Sequence, residues 1–204
     1  MIAIIDYGVG NLFSLKSSFA AIGQEAQVTG DKEIIRRADK IILPGVGAFG
    51  DAMQKLKDTG LDRVIRAEAD KGKPILGICL GMQLLLEKSY EYGEHEGLGL
   101  IPGEISPMEG RLPKDLKIPH IGWNALTFPG VRHPLFRYLK EGDFVYFVHS
   151  FFGTKCAAHT IALTEYGIDI TAAVAKENVM GCQFHPEKSG DVGLSILKAF
   201  CEGV

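Results

Sequence analysis

Cysteine is scarce in this chain. Its four residues, Cys79, Cys156, Cys182 and Cys201, are scattered without framework spacing, which argues against a disulfide-stapled secreted domain and fits a reducing cytoplasm. Long apolar runs are missing as well. No stretch approaches membrane-spanning length, and the opening MIAIIDYG reads as a strand rather than a signal peptide. Runs of one charge sign are also absent. With a formal net charge of −3 and no long basic segment, nucleic acid is not an expected partner; the densest basic spot, Arg36, Arg37 and Lys40, reads as a solvated helix end. No linker, repeat or low-complexity segment interrupts the sequence, so residues 1–204 read as one domain with room for a substantial core.

Glycine is what the chain has in excess, 25 of 204 residues against a usual share of about 7%, and this predicts many tight strand-to-helix turns. Ile2-Ala3-Ile4-Ile5, Ile41-Ile42-Leu43 and Ile75-Leu76 are wholly apolar runs, the pattern of strands buried on both faces. Between them lie helical patterns. Leu12, Leu15, Phe19 and Ile22 share one helix face with Gly23 as the stop, a short strand and a small helix are expected near 26–28 and 32–37, and a helix pair over 52–71. The alternation predicts an α/β fold: an open, mostly parallel sheet with helices on both faces. The second half differs. Residues 98–101, 117–126, 143–150, 156–163, 170–176 and 179–184 read as strands with turns between them, an antiparallel extension before a last helix over 191–201. Trp123 and the aromatic run 146–152 read as core on composition.

One stretch organises the rest. In PILGICLGMQ, residues 74–83, an apolar strand meets a helix expected to end near Lys88 through Gly77-Ile78-Cys79-Leu80-Gly81. Gly-x-Cys-x-Gly at such a junction is the thiol form of a nucleophile elbow. The turn lifts Cys79 out of the sheet and sets its sulfur at a helix N-terminus, where free N–H groups favour a thiolate. The plainer alternative, a buried structural cysteine between packing glycines, is weakened by this strand–turn–helix setting. Gly45, Gly47 and Gly50 fit G-x-G-x-x-G after a strand, but Pro44 removes an N–H that a phosphate cradle would use. The free N–H groups of that loop serve an oxyanion equally well.

A cysteine nucleophile needs a histidine in space. Of six histidines, His185 ends the run Gly181-Cys182-Gln183-Phe184 and is followed by Pro186-Glu187. Proline pushes the residue before it into extended backbone, and residues two apart in an extended segment share a side. Glu187 is therefore expected to reach the imidazole and orient it. Cys182-x-x-His185 also has metal-ligand spacing, but no second Cys/His pair of that spacing accompanies it and structural zinc takes four ligands.

LPGVGAFG at 43–50, GICLGMQLL at 77–85, YFVHSF at 146–151 and QFHPEKSG at 183–190 together resemble the class I glutamine amidotransferases. With IPHIGWN at 118–124 added, the set is similar, more narrowly, to the glutaminase subunits of imidazole glycerol phosphate synthase. The match runs from DYGVGN near the start to the last helix. The resemblance implies hydrolysis of L-glutamine through a cysteine thioester. It also implies delivery of ammonia to a (β/α)8-barrel cyclase subunit, as a heterodimer in histidine biosynthesis, with no organic cofactor or metal. Because no barrel sequence follows, the separate-subunit form is expected. Residue by residue, the resemblance puts Cys79, His185 and Glu187 on the catalytic triad. The N–H of Leu80 and those of the loop at Val46 and Gly47 fall on the oxyanion site; Gln83, Glu91 and the segment His149, Ser150, Phe151 fall on the glutamine pocket. Many relatives carry Pro-Gly-Gly where this chain has Pro44-Gly45-Val46. Three rival readings are another enzyme of this scaffold, such as the glutaminase of pyridoxal phosphate synthase or a cysteine hydrolase, a flavodoxin-type nucleotide-binding module, and a catalytically silent regulatory subunit.

Overall fold

The first strand shows why the runs are apolar from end to end. Ala3 and Ile5 pack into one buried cluster, and Ile2 and Ile4 into another on the opposite face. Side chains alternate along a strand, so one covered on both sides has no polar positions. The structure, a computed structural model, describes residues 1–203.

In chain order the first half is β1 (Ile2–Ile5), α1 (Leu12–Ala21), β2 (Ala26–Thr29), α2 (Lys32–Arg37), β3 (Lys40–Leu43), α3 (Phe49–Thr59), α4 (Leu61–Asp70), β4 (Ile75–Ile78) and α5 (Leu80–Leu85). The strands β5 (Lys88–Ser89), β6 (His95–Glu96), β7 (Glu104–Pro107), β8 (His120–Ala125), β9 (Phe144–His149), β10 (Phe151–Thr154), β11 (Thr160–Glu165), β12 (Asp169–Lys176) and β13 (Val179–Cys182) precede α6 (Gly190–Glu202). Within the main sheet, β2, β1, β3, β4 and β13 lie side by side and parallel. Ile35, Phe49, Leu56 and Ile65, from α2, α3 and α4, cover one face; Leu15 and Phe19 of α1 and Ile196 and Phe200 of α6 cover the other. Beyond β13 the sheet turns antiparallel through β12, β10 and β7, with β11 on β12. The open α/β sheet with its antiparallel extension is therefore as the pattern predicts.

Three local expectations are corrected. Residues 98–101 form no strand: the N–H groups of Leu98, Gly99 and Leu100 donate to the carbonyls of Leu84, Leu86 and Leu85. They cap the carbonyls left open at the end of α5, which accordingly stops at Leu85 rather than near Lys88. Trp123 is not core. The hairpin of β8 and β9 forms a separate two-stranded sheet whose outward positions include Trp123, 51% exposed, and Ile121, 57% exposed. The short strands β5, β6, β7 and β10 carry too few residues for a readable period.

The parallel strands aim their carboxyl ends at one rim. The loops after β1, β3, β4 and β13 meet there, next to the point where the chain, having placed β2 on one side of β1, places β3 on the other. This is where ligands bind in open α/β sheets.

Candidate active site

The elbow is built by backbone contact. Cys79 takes φ 54° and ψ −111°, a positive-φ conformation rare outside glycine, and its N–H donates to the Cys182 carbonyl at 2.8 Å. Two glycines make the turn possible. A Cβ on Gly81 would stand 1.8 Å from the Leu43 carbonyl oxygen, and one on Gly77 would stand 2.6 Å from the Gly81 oxygen. The start of α5 thus lies directly against the ends of β3 and β4, and no side chain fits between them. α5 has only six residues, so few peptide dipoles add at its N-terminus. Stabilisation of a thiolate there has to come from particular side chains and N–H groups.

His185 is buried and extended, with its N–H bonded to the Tyr146 carbonyl at 2.9 Å. Its Nδ1 lies 2.8 Å from Glu187 Oε1, and both side chains are almost wholly buried. The contact expected from spacing is present, although its local form differs: residues Pro186–Lys188 make a 3₁₀ turn that brings the carboxylate round to the ring. Ser189 secures the turn, donating from Oγ to the His185 carbonyl at 2.6 Å and accepting from the Tyr146 N–H at 3.0 Å. Burial alone would lower the imidazole pKa. Hydrogen bonds to Cys79 and Glu187 and the charges of both overcome this and raise it to about 9. The second cysteine of this region is different. Cys182 is completely buried, and desolvation, then the charges of Glu187 and Cys79, push its thiol well above the ordinary range.

Cys79 and His185 open into one cleft of about 330 Å³, within the size range of small-molecule sites. Val46, Gly47, Leu80, Gln83, Glu91, His149, Ser150 and Phe151 line it as well. Every residue the sequence nominated is therefore on this cleft or, for Glu187, directly behind His185. The N–H groups of Val46, Gly47 and Leu80 donate to no protein group among the described residues. Glu91 accepts the Phe49 N–H at the start of α3 at 2.6 Å; burial raises its pKa and that hydrogen bond opposes the rise. The Phe151 carbonyl accepts two side-chain donors, Gln83 Nε2 at 3.1 Å and His149 Nδ1 at 2.9 Å. Burial drives His149 down to about 3, so it serves as a neutral donor.

Sequence reasoning missed four participants. Gln183 is fully buried with Nε2 3.8 Å from Cys79 Sγ. Tyr7 donates to the Pro44 carbonyl at 2.8 Å, its hydroxyl also 2.8 Å from where a Gly45 Cβ would be. Burial, and then the charge of Cys79, hold the Tyr7 phenol far above its ordinary pKa. His120 stacks between Phe147 and Tyr166 and bonds to His149 Nε2 at 3.0 Å. Tyr92 borders the cleft at positive φ. Only Gln183 carried a readable signal, a polar residue within the apolar run 179–184, two positions before His185.

The family signature for class-I glutamine amidotransferase matches residues 3–203. The imidazole glycerol phosphate synthase subunit HisH of Lactococcus lactis is 51% identical, covering 100% of this chain and 98% of its own. That of Caldanaerobacter subterraneus is 50% identical, covering 99% of this chain and 98% of its own. Among solved structures, one described as a glutamine amidotransferase superposes with a TM-score of 0.75 at 18% identity over 98% of this chain and 100% of the other. PurLQS from Thermotoga maritima gives 0.75 at 20% identity over 98% and 97%. The structural likenesses carry the fold, and the sequence relatives carry the family: the chain belongs to the class I glutamine amidotransferases and, within them, to the HisH glutaminase subunits of imidazole glycerol phosphate synthase.

Proposed function

We propose that Cys79, His185 and Glu187 form the catalytic triad that hydrolyses L-glutamine, within a single domain spanning residues 1–204. The observation that carries this reading is the placement of the Cys79 elbow and the Glu187-oriented His185 on one cleft. The Cys79 thiolate attacks the side-chain amide carbon, forming a C–S bond and an oxyanion. The N–H of Leu80, with that of Val46 or Gly47, holds the oxyanion. His185, charged at neutral pH, gives its proton to the amide nitrogen; the C–N bond breaks and ammonia leaves. Neutral His185 then takes a proton from water, whose oxygen attacks the thioester carbon. The second tetrahedral intermediate collapses to glutamate and the thiolate. Glu187 holds the ring in the tautomer that presents Nε2 to this chemistry and stabilises the imidazolium.

Gln83, Glu91 and the segment 149–151 supply the glutamine pocket. Gln83 keeps Oε1 available, because its two N–H groups are used elsewhere. The cyclase that consumes the ammonia is read as a (β/α)8-barrel subunit bound as a heterodimer, and the exposed Trp123 and Ile121 of the β8–β9 hairpin are an apolar surface suited to a protein partner. The four free cysteines are consistent with the cytoplasm.

Cys79→Ala tests the assignment. The variant is expected to fold, bind the cyclase and sustain product formation from added ammonium salts while releasing no glutamate from glutamine. Appreciable glutamine hydrolysis by the purified variant would overturn it.

A further inference from the structure

Gln183 follows β13, completely buried, two residues before His185. Its backbone N–H is fixed to the Ala172 carbonyl at 2.8 Å. A directed chain of hydrogen bonds decides which end of its carboxamide faces Cys79. The Phe151 carbonyl, which can only accept, takes one N–H of Gln83 Nε2 at 3.1 Å. The other N–H of Gln83 goes to Gln183 Oε1 at 3.0 Å. With its oxygen committed there, Gln183 turns its NH2 toward the sulfur, 3.8 Å from Nε2. Reversing the Gln83 amide would set its oxygen against the Phe151 carbonyl. Reversing the Gln183 amide would set NH2 against NH2 and remove the donor from the sulfur. Each reversal leaves buried polar groups unpaired, a cost the chain avoids.

A sulfur faced by a fixed N–H donor is favoured as the thiolate, because a hydrogen bond to the charged form is the stronger one. We propose that Gln183 is a further catalytic residue, donating an N–H to Cys79 Sγ so that the sulfur is held as a thiolate before attack and received as one when the thioester breaks. This rests on Cys79 being the nucleophile. It supplies what the short α5 provides only weakly. It also explains why a residue as polar as glutamine is completely buried beside an otherwise apolar strand. The titratable groups around the sulfur are His185 and Cys182 from the β13 side and Tyr7 from the loop after β1, with His149 of β9, Glu91, Tyr92 and Lys188 lining the same cleft.

The test compares the wild-type chain with Gln183→Met, which keeps the length and removes the donor, and Gln183→Glu, which sets an acceptor against the sulfur. Alkylation by iodoacetamide is followed against pH and read at Cys79 by peptide mass spectrometry, so that the other cysteines do not contribute. The midpoint for Gln183→Met is expected to rise by about one pH unit, a tenfold loss of thiolate below it, and that for Gln183→Glu to rise further. Glutamine turnover in the complex with the cyclase should fall in the same order, with ammonium-dependent product formation unchanged. If Gln183→Met does not fold, the nearly isosteric Gln183→Glu carries the comparison. Unchanged midpoints in folded variants would overturn the role of Gln183, even if turnover fell. Hydrolysis by Cys79→Ala would instead remove the nucleophile on which the inference depends, so the two failures are distinguishable.

Discussion

Two glycine-bearing turns meet at the cleft, and they are built in opposite ways. After β4, the turn at Cys79 is wedged between strands: a Cβ on Gly81 would lie 1.8 Å from one backbone carbonyl, and the Cys79 N–H is bonded to another. After β3, only the root of the loop is held. Tyr7 grips the Pro44 carbonyl, and Gly45 is packed against Tyr7 and Leu80. Beyond that the loop is open. Val46 is 45% exposed, and Gly47, at φ +94°, has nothing within 4 Å of where a Cβ would stand. The nucleophile is thus fixed by close packing, whereas the peptides opposite it can turn at little steric cost. Val46 lies on the negative-φ side, as a β-branched residue must to avoid strain. A glycine there would widen the choice. Our account is that the nucleophile side is complete in the isolated chain while the oxyanion side is adjustable, its competent form selected by the cyclase carrying its ligand.

The largest effect expected is from filling the wedged turn. Gly81→Ala should cost about 3 kcal/mol or more, since overpacking against immobile backbone forces the sheet apart. A chemical melt and glutamate assay should show a destabilised, inactive protein. A stable variant with near-normal turnover would mean that the elbow is looser than its contacts imply.

Next comes Glu187→Gln. The fold should persist, because the change is nearly isosteric, while turnover falls by roughly 10²–10⁴, as when an orienting carboxylate is lost from a triad. The pH profile sharpens the test. His185 is raised to about 9 in the folded chain from the ordinary histidine value near 6.5, so its ion pairing stabilises fully below the unfolded value and is lost as pH rises through about 9. Turnover should fall over the same alkaline range, where the proton for departing ammonia is gone. In Glu187→Gln that fall should begin at lower pH, because one of the groups holding the proton is removed.

The smallest change addresses the open turn. Val46→Gly should raise basal glutamine turnover by at most roughly 10²–10³, the worth of one oxyanion donor, and should leave partner-stimulated turnover almost unchanged. A lowered or unchanged basal rate would place the limitation outside this loop.

The sequence made one half of this site far more legible than the other. Apolar strands separated by amphipathic helices announce a parallel sheet, because both faces must be covered, and a parallel sheet aligns its loops on one rim. Cys79 could be read because glycines two residues away on each side mark a turn no other residue permits. His185 could be read through the proline after it. The chain of donors from Gln83 through Gln183 could not, since an amide reveals its orientation only when its neighbours in space are known. Trp123 was misread for a related reason. Its hairpin covers the core with one face, where Val145 and Phe147 are buried, and leaves the other open, where Trp123 and Ile121 lie; composition cannot report which face of a strand is covered. The caps on α5 were hidden likewise, because residues 98–101 have the apolarity of a strand but spend their N–H groups on a helix end.

Steady-state glutamate formation, measured for the chain alone, with the cyclase subunit, and with the cyclase and the substrate that accepts the ammonia, tests the contrast between the two turns most directly. A complete nucleophile facing an adjustable oxyanion loop predicts low turnover alone and a rise of roughly 10²–10³ with the liganded partner, the worth of one oxyanion donor. Equal turnover in all three conditions would contradict it.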